Sequence, residues 1–193
     1  MKERFVYLAS KSPRRRDLLK QIGIACRILD VEVDEHWDGQ EPADAYVRRL
    51  AELKAKRGWD QIRAIDPHPV LGADTAVVIG GEILGQPHDR ADGFGMLRRL
   101  GGRTHEVYSA VAVATASGIE ARVSLSRVRM RVLTDAELNA YWASREPRGK
   151  AGGYAIQGRA AAFIEHLEGS YSGVVGLPLH ETAELLAGVG VAL

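Results

Sequence analysis

Apolar positions along the chain fall into short continuous or alternating runs separated by stretches with helical spacing, and these two periods define most of its elements. Phe5-Val-Tyr-Leu-Ala is an apolar run that predicts a short buried strand. Ser12 then stands as a helix cap with Pro13 at the first helical position; Leu18, Leu19 and Ile22 share one face, and Gly23 closes the helix. Ile24 to Val33 reads as extended. Pro42 to about Arg57 predicts a second helix, with Tyr46, Val47, Leu50 and Leu53 as its apolar stripe and Gly58 as its stop. Val70 to Ile79 is rich in β-branched residues, and Gly80-Gly81 followed by Glu82-Ile-Leu predicts a tight hairpin.

Asp89 to Leu100 predicts a third helix, with Phe94, Leu97 and Leu100 inward and Gly101-Gly102 at its end. Glu106 to Thr115 and Ile119 to Val132 read as strands joined at Ser117-Gly118. In the second of these, Val123 and Leu125 lie on one phase and Val128, Met130 and Val132 on the other, which predicts a bulge near Ser126-Arg127. Arg127, Arg129 and Arg131 share a face, either solvated or at a subunit contact. Thr134-Asp-Ala-Glu137 is a capping box opening a helix to about Ser144. Gly149 to Gly158 reads as a glycine-rich loop, Ala161 to Leu167 and Tyr171 to Val175 as strands, and Pro178 to Ala187 as a closing helix. Interspersed strands and helices together with tight hairpins predict an α/β fold with a mixed sheet.

Composition narrows this picture. At 193 residues the chain is most economically one domain spanning 1–193, long enough to bury a sizeable core. Lys and Arg total 26 against 25 Asp and Glu, a net charge of +1 that argues against a nucleic-acid partner. Cys26 is the single cysteine and reads as a packing residue. The charged Lys2-Glu3-Arg4 runs straight into Phe5, unlike a signal peptide, and no apolar run nears the roughly 20 residues that span a bilayer. The expectation is a cytoplasmic protein with no membrane partner.

Candidate chemistry begins with absences. No G-x-x-x-x-G-K-[ST], no G-x-G-x-x-G between a strand and a helix, no C-x-x-C, no H-E-x-x-H and no G-x-S-x-G occurs. What remains are polar residues in apolar or glycine-rich settings. Ser10-Lys-Ser-Pro-Arg14-Arg15 offers hydroxyls, first-turn amides and guanidinium groups at a helix mouth, the groups that bind a phosphate. Three arginines there oppose the helix dipole, a conflict that a bound anion reverses. Asp74 lies inside an apolar strand, where an ionised carboxylate requires a partner: a metal or base role in a cleft, or bonds to nearby backbone amides. Asp34-Glu35 could join it around a divalent cation or be solvated. Lys150 and Gln157 bracket a loop whose glycines admit a ligand, and Gln157 can present a donor and an acceptor to a nucleobase. His105 reads as a strand-initiating histidine satisfied by its neighbours, with a base or phosphate contact as the alternative, and Trp37, Trp59 and Trp142 read as packing residues.

Taken in order, Ser10-Lys-Ser-Pro-Arg-Arg, Leu71-Gly-Ala-Asp-Thr, Gly102-Arg-Thr-His, Lys150-Ala-Gly-Gly-Tyr-Ala-Ile-Gln-Gly and Gly169-Ser-Tyr-x-x-Val-Val-Gly-Leu-Pro-Leu resemble the Maf family of nucleoside triphosphate pyrophosphatases from Leu8 to about Leu186. The resemblance implies a two-lobed α/β fold of the Maf and inosine-triphosphatase type, with a mixed, curved sheet flanked by helices and a deep central cleft. It implies hydrolysis of a triphosphate to monophosphate and pyrophosphate with a divalent cation, Mg or Mn, in a homodimer. Asp74 would accept the proton; Arg14, Thr75 and Gln157 would bear on substrate selection; Glu35 with Asp74 would lie at the metal; and Ser10, Arg15, Lys54 and Lys150 match polar residues of the family's cleft. Ser-Pro-Arg-Arg together with Ala-Ile-Gln-Gly is similar to the subgroup acting on dTTP and UTP. The alternatives are 7-methyl-GTP as substrate, or a nucleotide sensor in division control that does not hydrolyse. The resemblance breaks at Gln86, where the family carries lysine, and the expectation is that Arg16 or another cation supplies the missing charge.

Overall fold

The protein is described here by a computed structural model over residues 5–191, so the approach of Lys2-Glu3-Arg4 to the first strand lies outside the described residues. Chain order is β1 Phe5–Leu8, α1 Pro13–Gln21, β2 Ala25–Ile28, α2 Ala43–Ile62, β3 Val70–Ile79, β4 Glu82–Leu84, α3 Arg90–Leu100, β5 Thr104–Thr115, β6 Gly118–Met130, α4 Asp135–Ala143, β7 Ile164–Glu168, α5 Tyr171–Val175 and α6 Leu179–Gly188. Short 3-10 turns cover Ala151–Gly153 and Arg159–Phe163. The strands form one seven-stranded sheet in the order β2-β1-β3-β5-β6-β7, with β4 beside β3. β1 runs parallel to β2 and β3, and the other pairs are antiparallel, so the sheet is mixed as the sequence predicts.

β3 organises the molecule. On one of its faces Leu71 and Ala73 join an apolar core with β1, α1 and α6, while Val77 and Ile79 join another with α3 and α4. Between these two cores the same stripe is interrupted by Thr75, whose hydroxyl lies 3.0 Å from that of Ser109 on β5. The opposite face of β3 lies under α2, where Val70 and Ala76 meet Val47, Ala51 and Ala55. Along its β5 side β3 is paired from Val70 to Val78. Its other edge pairs with β1 only at Val70 and Leu71, and with β4 only at Val77 to Ile79, which leaves Gly72 to Ala76 open. A cleft enters the sheet through that gap.

Several elements differ from the sequence reading. Tyr171–Val175 is a helix and not a strand, because the Ser170 hydroxyl accepts from the Gly173 amide and starts a turn that two valines do not overcome. The 161–167 stretch is strand only from Ile164, after the 3-10 turn, and the 24–33 stretch only over Ala25–Ile28. α2 continues through Gly58 to Ile62, since Gly58 is buried where a Cβ would stand 2.7 Å from Val70 Cγ1. Its buried stripe holds Val47, Leu50, Ala51 and Lys54, with Leu53 turned partly outward. β6 has no bulge at Ser126-Arg127: its pairing with β5 is continuous, and the register shift falls at Arg129/Met130 against β7. The buried face of β6 changes along its length: Ala121 is buried and Val123 half-buried beside α2, whereas from Ser124 onward the buried residues are Ser124, Ser126, Val128 and Met130 on the other face, with Leu125 exposed. Arg127, Arg129 and Arg131 point outward into ion pairs with Glu168, Glu165 and Glu137.

Two glycines test this packing. At Gly72 a Cβ would lie 2.3 Å from the Ala51 carbonyl oxygen and 2.5 Å from the Ala55 nitrogen, both backbone atoms, so Gly72→Ala is expected to destabilise by about 3 kcal/mol. Gly95 lies inside α3, where a Cβ would meet nothing within 4 Å, and Gly95→Ala should add roughly 0.5–1 kcal/mol of stability. Urea unfolding of the two variants measures both.

Candidate active site

The cleft has a volume of about 700 Å³, and its walls carry the nine residues that the resemblance assigned to catalysis, substrate or metal: Ser10, Arg14, Arg15, Glu35, Lys54, Asp74, Thr75, Lys150 and Gln157. The resemblance named Lys54; its helical spacing alone, on the buried stripe of α2, places it toward β3. There its ammonium lies 2.7 Å from Asp74 Oδ1 and 2.7 Å from Glu35 Oε1. Asp74 and Lys54 are each more than nine-tenths buried. Burial raises the Asp74 carboxyl above the ordinary carboxylate range, against the opposing pull of Lys54 and Arg15. A carboxylate so placed is a better proton acceptor near neutral pH than an exposed one.

A second wall gathers positive charge. Ser12 occupies the cap position of α1 but its side chain makes no cap bond; its own amide instead donates to the Ser10 hydroxyl. Pro13 has no N–H, so the uncapped first-turn donors are the amides of Arg14 and Arg15. Arg15 Nε donates to the Gly176 carbonyl at 2.8 Å and Nη1 to the Ser10 hydroxyl at 3.1 Å, which anchors that guanidinium across the cleft floor. Arg14 Nε is buried with no partner among the described residues. Burial lowers the pKa of both guanidinium groups and that of Lys150, which also feels the charge of Arg14. All three cations therefore gain from an anion placed between them.

The remaining wall is the loop from Gly149 to Gly158. Gly152 has φ of +67° and sits where a Cβ would be 2.9 Å from Val77, and its amide donates to the Gly85 carbonyl, tying the loop to the end of β4. Gln157 stands exposed in the cleft. Gln86 lines the same space, whereas Arg16 is exposed on α1 outside it, so Arg16 is not the cation that offsets the lysine expected at position 86. Asp34 also stays out of the cleft, its carboxylate accepting from the His36 amide. Tyr46, which the sequence reading assigned to packing, lines the cleft with its hydroxyl on the Glu35 carbonyl. Burial, Asp74 and Glu35 push that phenol up to about 12.

For a metal, the donor set consists of the two carboxylates that meet at Lys54. Among the described residues no three of His, Cys, Asp or Glu cluster into a cage. Two hard-oxygen ligands suit a divalent cation of the Mg²⁺ type that fills its remaining positions with water and phosphate oxygens, so these residues fit an ion arriving with a nucleotide.

A sequence model of the family described as "Maf-like protein" matches residues 5–189. A protein of Aromatoleum aromaticum named dTTP/UTP pyrophosphatase is 48% identical over 97% of each chain. Proteins with the same name from Bordetella parapertussis and Alkalilimnicola ehrlichii are each 50% identical, the first over 97% of this chain and 94% of its own, the second over 94% and 91%. Among solved structures, the Staphylococcus aureus Ham1 protein overlaps 66% of this chain and 71% of its own at 15% identity, with a TM-score of 0.41, too low to bear on the fold.

His105 stands apart from the cleft, 1% exposed, with Nε2 2.7 Å from the Tyr154 hydroxyl. Burial lowers its pKa to about 4. Because the unfolded chain binds that proton near pH 6.5, the stability held by neutral His105 is complete above pH 6.5 and declines as pH falls toward 4. Urea unfolding at pH 7 and pH 5 should show a loss of about 2 kcal/mol in the wild type that is absent in His105→Asn.

Proposed function

The chain belongs to the Maf-like protein family, and from that membership we propose that it hydrolyses dTTP and UTP to the monophosphate and pyrophosphate. One observation carries the reading: a buried carboxylate, Asp74, shares a cleft with uncapped amides and with three cations, Arg14, Arg15 and Lys150, that make no direct ion pair among the described residues. A triphosphate lying against Arg14, Arg15 and Lys150 puts its charge where burial has made cations costly, and puts its α-phosphorus on the Asp74 side. Asp74 accepts the proton of the attacking water. Lys54 holds the carboxylate in place and favours its ionised form, so that burial and the ion pair together set its basicity. Glu35 and Asp74 would hold a divalent cation, Mg²⁺ or Mn²⁺, which when bound neutralises phosphate charge.

Ser10 fixes Arg15, and Arg15 in turn takes charge from the leaving pyrophosphate. Arg14, Thr75 and Gln157 bear on which nucleotide is accepted. Thr75 is suited to this because its hydroxyl is held by Ser109, itself bonded to the Gly173 carbonyl at 2.6 Å, and so presents a fixed group. The near-neutral net charge supports a nucleotide over a nucleic acid as the partner. Work on free nucleotides in the cytoplasm, as a homodimer, completes the proposal.

Incubation with dTTP, UTP and 7-methyl-GTP in Mg²⁺, with released pyrophosphate as the readout, tests the substrate. Turnover of dTTP and UTP is expected, and binding without release would turn the reading to a sensor. Asp74→Asn should lower kcat by about a thousandfold with the circular dichroism spectrum unchanged. Activity within a few fold of wild type in that variant removes Asp74 from the mechanism.

A further inference from the structure

Glu146 lies just outside the cleft walls, yet it meets both ends of the loop that forms one of them. Its carboxylate accepts from the Arg159 amide at 2.9 Å, the Ala160 amide at 3.3 Å and the Tyr141 hydroxyl at 2.8 Å. Its main-chain carbonyl accepts from Lys150 Nζ at 2.5 Å. The Tyr141 oxygen also accepts from the Ala155 amide at 3.2 Å, so a third point of the loop is tied to the same group. Gly158 closes against it: a Cβ there would stand 2.3 Å from the Glu146 carboxyl carbon. Arg145, immediately before, has φ of +63° and is the one non-glycine among the described residues with positive φ. That turn aims Glu146 back into the loop it precedes.

We propose that Glu146 is a positioning residue which, by closing the 147–158 segment into a ring, holds Lys150 against the phosphates and Gln157 against the base, and thereby sets the preference for pyrimidine triphosphates. This rests on the function proposed above. Burial works to raise the Glu146 carboxyl, but the Arg159, Tyr141 and Ala160 donors hold it below the ordinary range, so it bridges as a carboxylate. Lys150 acquires a defined direction although no acid among the described residues pairs with its ammonium, because the nearer of its two carbonyl acceptors, Glu146 at 2.5 Å against Arg148 at 3.4 Å, belongs to the residue that also fixes the far end of the loop. Two cleft-lining residues, Ile156 and Gln157, lie between the points where the loop is tethered, Ala155 to Tyr141 and Arg159 to Glu146.

Glu146→Gln places an amide NH₂ against backbone donors while nearly preserving shape. Hydrogen exchange of the nucleotide-free protein should then quicken by about tenfold or more at Arg159, Ala160 and the 150–158 amides, with the β5 amides unchanged. With dTTP, KM should rise about tenfold while kcat stays within about threefold, and the preference for dTTP over dGTP should shrink. Glu146→Asp, which keeps the charge, should restore part of the preference. Adding Gln157→Ala to Glu146→Gln should cost less than the two separate effects combined, as for groups acting as one unit. Unchanged exchange, or equal losses of kcat for dTTP and dGTP with the preference intact, overturns the proposal. If Glu146→Gln does not fold, Gly158→Ala displaces the carboxylate with all three of its donors still present and should give the same pattern. A wild type that releases no pyrophosphate overturns the function, while the exchange rates still decide whether Glu146 holds the loop.

Discussion

The approach of α2 to β3 over Gly72 determines where the Lys54 ammonium lies, and Asp74 depends on that ammonium. With no side chain at position 72, the Ala51 carbonyl and Ala55 amide of the helix come down onto the strand, and Lys54, one turn along the same stripe, reaches Asp74. A carboxylate this buried would be driven toward its neutral form without a partner. Removing one member of such a pair commonly costs about 3–5 kcal/mol, because the other is left charged and dry. A steric fact about a glycine is therefore also an electrostatic fact about an acid two residues away.

The cleft itself arises from a break in an apolar pattern. One face of β3 would form a single continuous core were it not for Thr75 and its partner Ser109, which divide the side chains packed with α1 and α6 from those packed with α3 and α4. Val174 on α5 touches both cores, and Arg15 reaches the Gly176 carbonyl at the end of the same helix. The polar floor thus lies between two bodies of side chains bridged by the half-buried Ile164, Leu167 and Val174, and the groups facing it are held from several directions.

The strands and the β3–β4 hairpin were legible in the chain because alternation and paired glycines report local geometry, and the gathering of polar and cationic groups from Ser10 to Arg15 at one wall of the cleft was legible because three arginines at a helix start contradict local electrostatics. Tyr171–Val175 misled because a serine cap outweighed two β-branched residues. The phase change in β6 signalled a switch of the buried face, from Ala121 and Val123 to the side of Val128 and Met130, in a strand whose pairing with β5 stays continuous where a bulge was expected. Lys54 had a readable signal, its place in the helical stripe of Val47, Leu50 and Ala51, but a charged residue there conflicts with the apolar period until Asp74 is seen opposite. Glu146 had none: its partners are backbone amides and a tyrosine brought together by the turn at Arg145, and no spacing in the chain encodes them.

The unpaired edge of β3 from Gly72 to Ala76 bears on how the protein can change over evolutionary time. A strand edge presents peptide N–H and C=O groups at a rise of about 3.3 Å per residue, and these do not change when side chains do. A ligand held partly by such an edge keeps that share of its binding through substitutions at positions such as Gln86 or Gln157. Substitution at either glutamine leaves the peptide groups of Asp74 to Ala76, the part of this edge that lines the cleft, where they are.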